Sequence, residues 1–157
     1  MSTKYLFVNA KLADGTVSDI EVSDDRISAI GVGLESSDAE RIDCAGLVAL
    51  PGFVDLHTHL REPGFEQSET VLTGTQAAAM GGYTAVHAMA NTSPVADTAG
   101  VVEQVAALGR EAGYADVYPI GAVTVGLEGK RMAELGAMAN SKAQVKVFSD
   151  DGKCVHD

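Results

Sequence analysis

Tryptophan is absent from this 157-residue chain and aromatic residues make up only 5% of it, so a core must be built mainly from Val, Ala, Leu, Met and Ile. Cysteine is scarce too. Cys44 and Cys154 lie far apart and form no CxxC pair, which reads as two reduced thiols. Basic residues are outnumbered, 11 against 22 acidic, and the formal net charge of −11 argues against a nucleic-acid surface or an anionic membrane patch. Long hydrophobic runs are missing as well: the opening MSTKYLFVNAKLADG holds one four-residue apolar run, with no signal peptide or membrane span. The expectation is a soluble, cytoplasmic protein, 46% hydrophobic and able to bury a core.

Residues 4 to about 50 read as short strands. Asp14-Gly15 and Asp24-Asp25 are turn signals between YLFVNAKL and the two halves of DIEVSDDRISAIGVG, which suggests a small β-meander. After Leu50 strand and helix alternate. Phe53–Leu60 reads as a strand, followed by a helix from about Ser68 or Glu69 to Gly81-Gly82, and Tyr83–Met89 as the next strand. Asp97 is a candidate N-cap for a helix with Val101, Val105, Leu108 and Ala112 on one stripe. A third strand over Asp116–Val123, a weaker helix over Glu128–Met138 and a fourth strand over Ala143–Phe148 complete the pattern. Four strand units separated by helices imply a parallel α/β sheet. It is either doubly wound or the first half of a (β/α)8 TIM-like barrel, and no GxGxxG or P-loop supports the former.

Chemistry concentrates at strand ends. In PGFVDLHTHLREPG (51–64), His57 and His59 are two apart on an extended strand, so their side chains share a face about 6–7 Å apart along the backbone. That is a metal-ligand spacing, and imidazole suits zinc. A lone histidine is more often structural; a pair at this spacing after an apolar strand is harder to explain so. Asp55 could face away or brace a ligand. Arg61 has the histidines' parity and suits a bidentate grip on a carboxylate, or equally is a surface arginine paired with Glu62 or Glu66. Asn91 follows the second strand and offers amide donors, or simply forms the loop. Asp150-Asp151-Gly152 reads as a turn that could bring one aspartate to the histidines. His87 and His156 are weaker candidates.

The run PGFVDLHTHLREPGFEQSET, then GGYTAVHAMANTSPVADT (81–98) and FSDDG (148–152), resembles type I dihydroorotase of the amidohydrolase superfamily. The resemblance spans nearly the whole chain. It implies a metal-dependent cyclic amidase of pyrimidine biosynthesis that interconverts N-carbamoyl-L-aspartate and (S)-dihydroorotate. Carried over by motif, His57 and His59 would bind a first zinc, Asp151 would bind or bridge two, and Arg61 and Asn91 would hold the substrate carboxylate.

Ala90 stands where many members have proline. The larger departure is length, since a full barrel plus a small sandwich exceeds this chain. Two more metal-binding histidines and an acid/base aspartate are expected outside it. The expectation is therefore residues 1–50 as part of the small β-sandwich and 51–157 as the first four βα units of the barrel, inactive alone and completed by the rest of the barrel, with a homo-oligomer or an aspartate transcarbamoylase as conceivable partners. Two rival readings remain. A hydantoinase, dihydropyrimidinase or allantoinase would bridge its metals with a carboxylated lysine, for which Lys146-Val147-Phe148 offers the context. A non-catalytic dihydroorotase-like partner of aspartate transcarbamoylase would have lost ligands, whereas His57, His59 and Asp151 are present.

Overall fold

The computed structural model describes residues 3–153 and 155, which form two compact units, one ending at Pro51 and one starting at Gly52. In the first unit β1 (Lys4–Lys11), β2 (Val17–Ser23) and β3 (Arg26–Gly31) run antiparallel in sequence order, as the two turn signals predict. Asp14 makes its turn by accepting from the amide and hydroxyl of Thr16, at 2.9 and 2.7 Å. The sheet is more than a meander, because β4 (Glu40–Asp43) joins the far side of β1 in parallel, giving the order β3-β2-β1-β4. One sheet face is a continuous apolar patch: Ile20 lies opposite Phe7 and Ile30, and Val22 opposite Tyr5 and Ile27. Ile27 and Ile30 are 61% and 55% exposed on this face.

The second unit is built on a parallel sheet of order β5-β6-β7, with β5 at Phe53–Thr58, β6 at Tyr83–Ala88 and β7 at Asp116–Pro119. Helix α1 (Val71–Met80) starts at Thr70, not at Ser68 or Glu69, because Thr70 and Thr73 close a reciprocal capping box. Helix α2 (Ala99–Ala112) starts at Thr98, and Asp97 instead accepts from the Gly126 amide at 2.8 Å. Three residues of the expected stripe, Val105, Leu108 and Ala112, pack against Val86, Ala88 and Val117 of the sheet, while Val101 is buried in the adjoining cluster with Ala90, Ala122 and Val145. By strand alternation His87 and Tyr118 lie on the opposite face, stacked with centroids 5.3 Å apart.

Past β7 the regular pattern thins. The third strand stops at Pro119 because the chain of β6 turns away after Ala88: Ile120 still donates to Ala88, but Ala122 donates to Ala96 in the following loop. The helix expected over Glu128–Met138 shortens to α3 (Leu135–Ala139). The fourth strand over Ala143–Phe148 reduces to one parallel bridge, Gly121 with Phe148, fixed by Gly121 donating to Val147 and Ser149 donating back to Gly121.

Two glycines of α2 separate packing from propensity. A Cβ on Gly109 would lie 2.4 Å from the Val117 Cβ, so α2 rests on β7 through that missing methyl, whereas Gly100 has nothing within 4 Å. Gly109→Ala should destabilise the protein by about 1–3 kcal/mol through overpacking, while Gly100→Ala should stabilise it by up to about 1 kcal/mol through helix propensity. Urea unfolding of both variants checks the opposite signs. In the first unit, the Asn9 amide and then the Leu34 amide hold the Asp19 carboxyl below its usual range. A lowered native value stabilises the fold above the unfolded-state value and loses that stability as pH falls through the native one. Asp19→Asn should therefore flatten the decline of stability below about pH 4, read from denaturant midpoints across the acid range.

Candidate metal centre

Strand β5 ends at Thr58, where two bonds join it to β6: the Thr58 hydroxyl donates to the His87 carbonyl and the Met89 amide donates to the Thr58 carbonyl, both at 2.8 Å. His57 is the last but one strand residue and His59 the first beyond it. Asp55 braces the end of the strand, its carboxylate accepting from the His57 backbone amide at 2.9 Å, so it fixes main chain rather than an imidazole ring. The two rings meet edge to face, and their Nε2 atoms are 3.3 Å apart. The strand parity thus brings both nitrogens to one point.

Asp151 reaches the same point from a segment more than ninety residues on, with Oδ2 at 3.2 Å from His57 Nε2 and 3.7 Å from His59 Nε2. Its neighbour explains the approach. Asp150 is buried and accepts from the amides of Val123 and Thr124 at 2.8 and 3.0 Å and from the Thr124 hydroxyl, which in turn accepts from the Gly129 amide at 2.9 Å. One aspartate of the pair anchors the turn and the other is presented to the histidines. The sequence marks the turn, but the partnership of Asp150 with Thr124, 26 residues away, carries no local signal.

One donor atom from each of His57, His59 and Asp151 lies within 4.8 Å of the others. An unprotonated imidazole nitrogen and a carboxylate oxygen are both electron-pair donors, and three of them converging on one point form a donor set that can hold a cation. Two imidazoles and a carboxylate suit zinc or a similar divalent ion. His57 is exposed and the other two are half-buried, which leaves room for further ligands and substrate.

Arg61 and Asn91 lie on loops stitched together beside this centre. Ser93 donates its amide to the Pro63 carbonyl at 2.9 Å, and Gly64, at φ +101°, packs so closely that a Cβ would sit 2.2 Å from the Ser93 oxygen. Arg61 does not continue the strand; it adopts φ +63°. Neither acidic neighbour pairs with it: Glu62 accepts from the Val71 amide at α1, and Glu66 from the Gly64 amide, which lowers the Glu66 carboxyl below its usual range. Among the described residues the Arg61 guanidinium has no hydrogen-bond or ion-pair partner. Asn91 instead touches the centre directly, with Oδ1 at 3.0 Å from His59 Nδ1.

The weaker candidates separate from this cluster. His87 is occupied by Tyr118, with its Nδ1 buried and unpartnered among the described residues. Lys146 is exposed, and its amine makes no hydrogen bond among the described residues. His156 lies outside the described residues, as does Cys154.

Comparison with known proteins bears on the family and the fold. The family model "Dihydro-orotase-like" matches residues 46–156. A dihydroorotase of Leifsonia xyli is 68% identical over 98% of this chain, and one of Streptomyces coelicolor 64% identical over 99%; the chain spans 35% and 36% of their lengths, about a third. Among solved structures, an L-hydantoinase of Arthrobacter aurescens superposes with a TM-score of 0.68 at 26% identity, covering 81% of this chain and 29% of its own. A crystal structure of a dihydroorotase gives 0.67 over 93% of this chain and 42% of its own; at 15% identity it speaks for the fold alone. The architecture is thus mixed α/β and matches the N-terminal part of amidohydrolase barrels. With the family model covering well over half of the sequence and these relatives aligned along nearly all of it, the chain belongs to the dihydro-orotase-like family.

Proposed function

We propose that the protein carrying this chain is a zinc-dependent dihydroorotase of pyrimidine biosynthesis, acting on N-carbamoyl-L-aspartate and (S)-dihydroorotate in the cytoplasm. The observation that carries the reading is the convergence of His57, His59 and Asp151 within 4.8 Å beyond the carboxyl end of a parallel sheet, where barrel enzymes place their chemistry. In the same proposal residues 1–50 are part of a small β-sandwich, residues 51–157 are the opening βα units of the barrel, and the remaining ligands and an acid/base aspartate come from the rest of the protein.

Each residue of this chain then has a task. His57 and His59 offer Nε2 lone pairs, and Asp151 offers an oxygen able to serve two cations. Bound zinc ions would polarise the ring amide carbonyl and lower the pKa of the attacking water. In the hydrolytic direction water adds to that carbonyl, the ring C–N bond breaks, and the departing nitrogen takes a proton. Arg61, unpaired among the described residues, grips the substrate carboxylate, and the Asn91 amide adds a second donor; fixing an anion in this way orients the amide for attack.

A hydantoinase-type reading is the rival, since the L-hydantoinase shares the fold and Lys146 sits in the context of a carboxylated bridge. Zinc content and turnover of the intact protein separate the two. Asp151→Ala should lose bound zinc and lower dihydroorotate hydrolysis by about a hundredfold or more, while Lys146→Ala keeps its zinc; the reverse pattern, with turnover of hydantoin in place of dihydroorotate, would favour the rival.

The anchoring aspartate makes a separate prediction. Asp150→Ala strands the Val123 and Thr124 amides and should cost about 1–3 kcal/mol of stability, with zinc occupancy falling alongside because Asp151 is no longer held. Denaturant unfolding and zinc analysis of the same preparation check both effects.

A further inference from the structure

Asn91 faces the metal centre with one end of its amide and away from it with the other. Its Oδ1 lies 3.0 Å from His59 Nδ1, while His59 Nε2 faces His57 and Asp151. A neutral imidazole carries its proton on one nitrogen only. For Nε2 to present a lone pair at the centre, Nδ1 must hold the proton and needs an acceptor. Among the described residues the Asn91 oxygen is the hydrogen-bond partner of that atom. This choice of partner also orients the amide, since an oxygen turned to His59 leaves both Nδ2 hydrogens pointing elsewhere, and among the described residues nothing accepts from them.

We propose that Asn91 is a positioning residue for the metal centre as well as a donor to the anionic substrate, so that one side chain couples the two. Its carbonyl fixes the His59 tautomer and ring rotation, and its amide hydrogens grip the substrate carboxylate, the latter role resting on the proposed function. The loop geometry makes the coupling stiff. Asn91 leads into Thr92, whose hydroxyl donates to the Pro94 carbonyl at 2.7 Å, and Ser93 is bonded to Pro63 of the arginine loop. The loop that carries Asn91 is thereby held by bonds on its C-terminal side, and its amide by the contact with His59.

Three variants of the intact protein separate the roles, read by zinc affinity in chelator competition and by steady-state kinetics. Asn91→Ala removes acceptor and donors together; zinc should bind about ten- to a hundredfold more weakly, and KM should rise. Asn91→Asp keeps the acceptor but replaces the donors with a negative charge. Zinc affinity should then stay within about twofold of the parent while KM for the anionic substrate rises at least tenfold, since a like charge now meets the substrate carboxylate. Asn91→Ser, small and unable to span the gap, should follow Ala in zinc affinity, and circular dichroism should confirm that all three are folded. Zinc affinity unchanged in Asn91→Ala with KM raised would overturn the coupling and leave a substrate contact only. Equal zinc loss in Ala and Asp variants would also overturn it. A parent protein that binds no zinc would overturn the metal reading itself, a result distinct from either.

Discussion

Three metal-ligating atoms from two distant segments have to meet at one point, and the second unit is organised to bring them there. His57 and His59 come from one strand end, where alternation already sends them to a common side. Asp151 arrives from the far end of the sequence and has to be delivered. The contacts of Asp151 with the two imidazoles are exposed or half-buried side-chain contacts, and the turn that presents it is held from elsewhere. The restraint comes from the buried Asp150, whose hydrogen bonds to Val123, Thr124 and the Thr124 hydroxyl pin the turn, and from the sheet bonds of Thr58 that pin the strand end.

Packing supplies the rest of the rigidity. Helices α1 and α2 close one face of the parallel sheet through Val71, Val105, Val86 and Ala88, and α2 comes within a missing methyl group of β7 at Gly109. The opposite face carries His87 against Tyr118 and leaves Val54 largely exposed. In the first unit the sheet likewise has one apolar side that is mostly open.

Much of this was legible in the residues because it follows from local periodicity. The two turns of the first sheet, the alternation of strand and helix after Leu50, the α2 stripe and the His57-Thr58-His59 parity are all short-range patterns. The failures are long-range. Nothing near Glu40–Asp43 indicates that it will pair in parallel with β1 across thirty residues. Pro119 and Ile120 read as strand, yet the ladder thins where its neighbour turns off into the loop that Ala122 then follows. Asp97 looked like a cap because aspartate caps helices, but its carboxylate is drawn to the Gly126 amide and Thr98 takes the position. At the site, the family motif pointed to Arg61 and Asn91, and the structure brings the Asn91 side chain to His59. The motif did not indicate that Arg61 leaves the strand at positive φ or that Asn91 touches His59.

The close seat of Gly64 on Ser93 has a bearing on how such a site can change over time. With the arginine loop and the asparagine loop locked backbone to backbone, neither can lengthen, shorten or take up a bulkier residue at the seam without dislodging the other. Divergence in substrate preference is therefore channelled away from loop remodelling and into the identity of the side chains the two loops display. A lineage can rewrite the tips at Arg61 and Asn91 one at a time, but it inherits the seam whole.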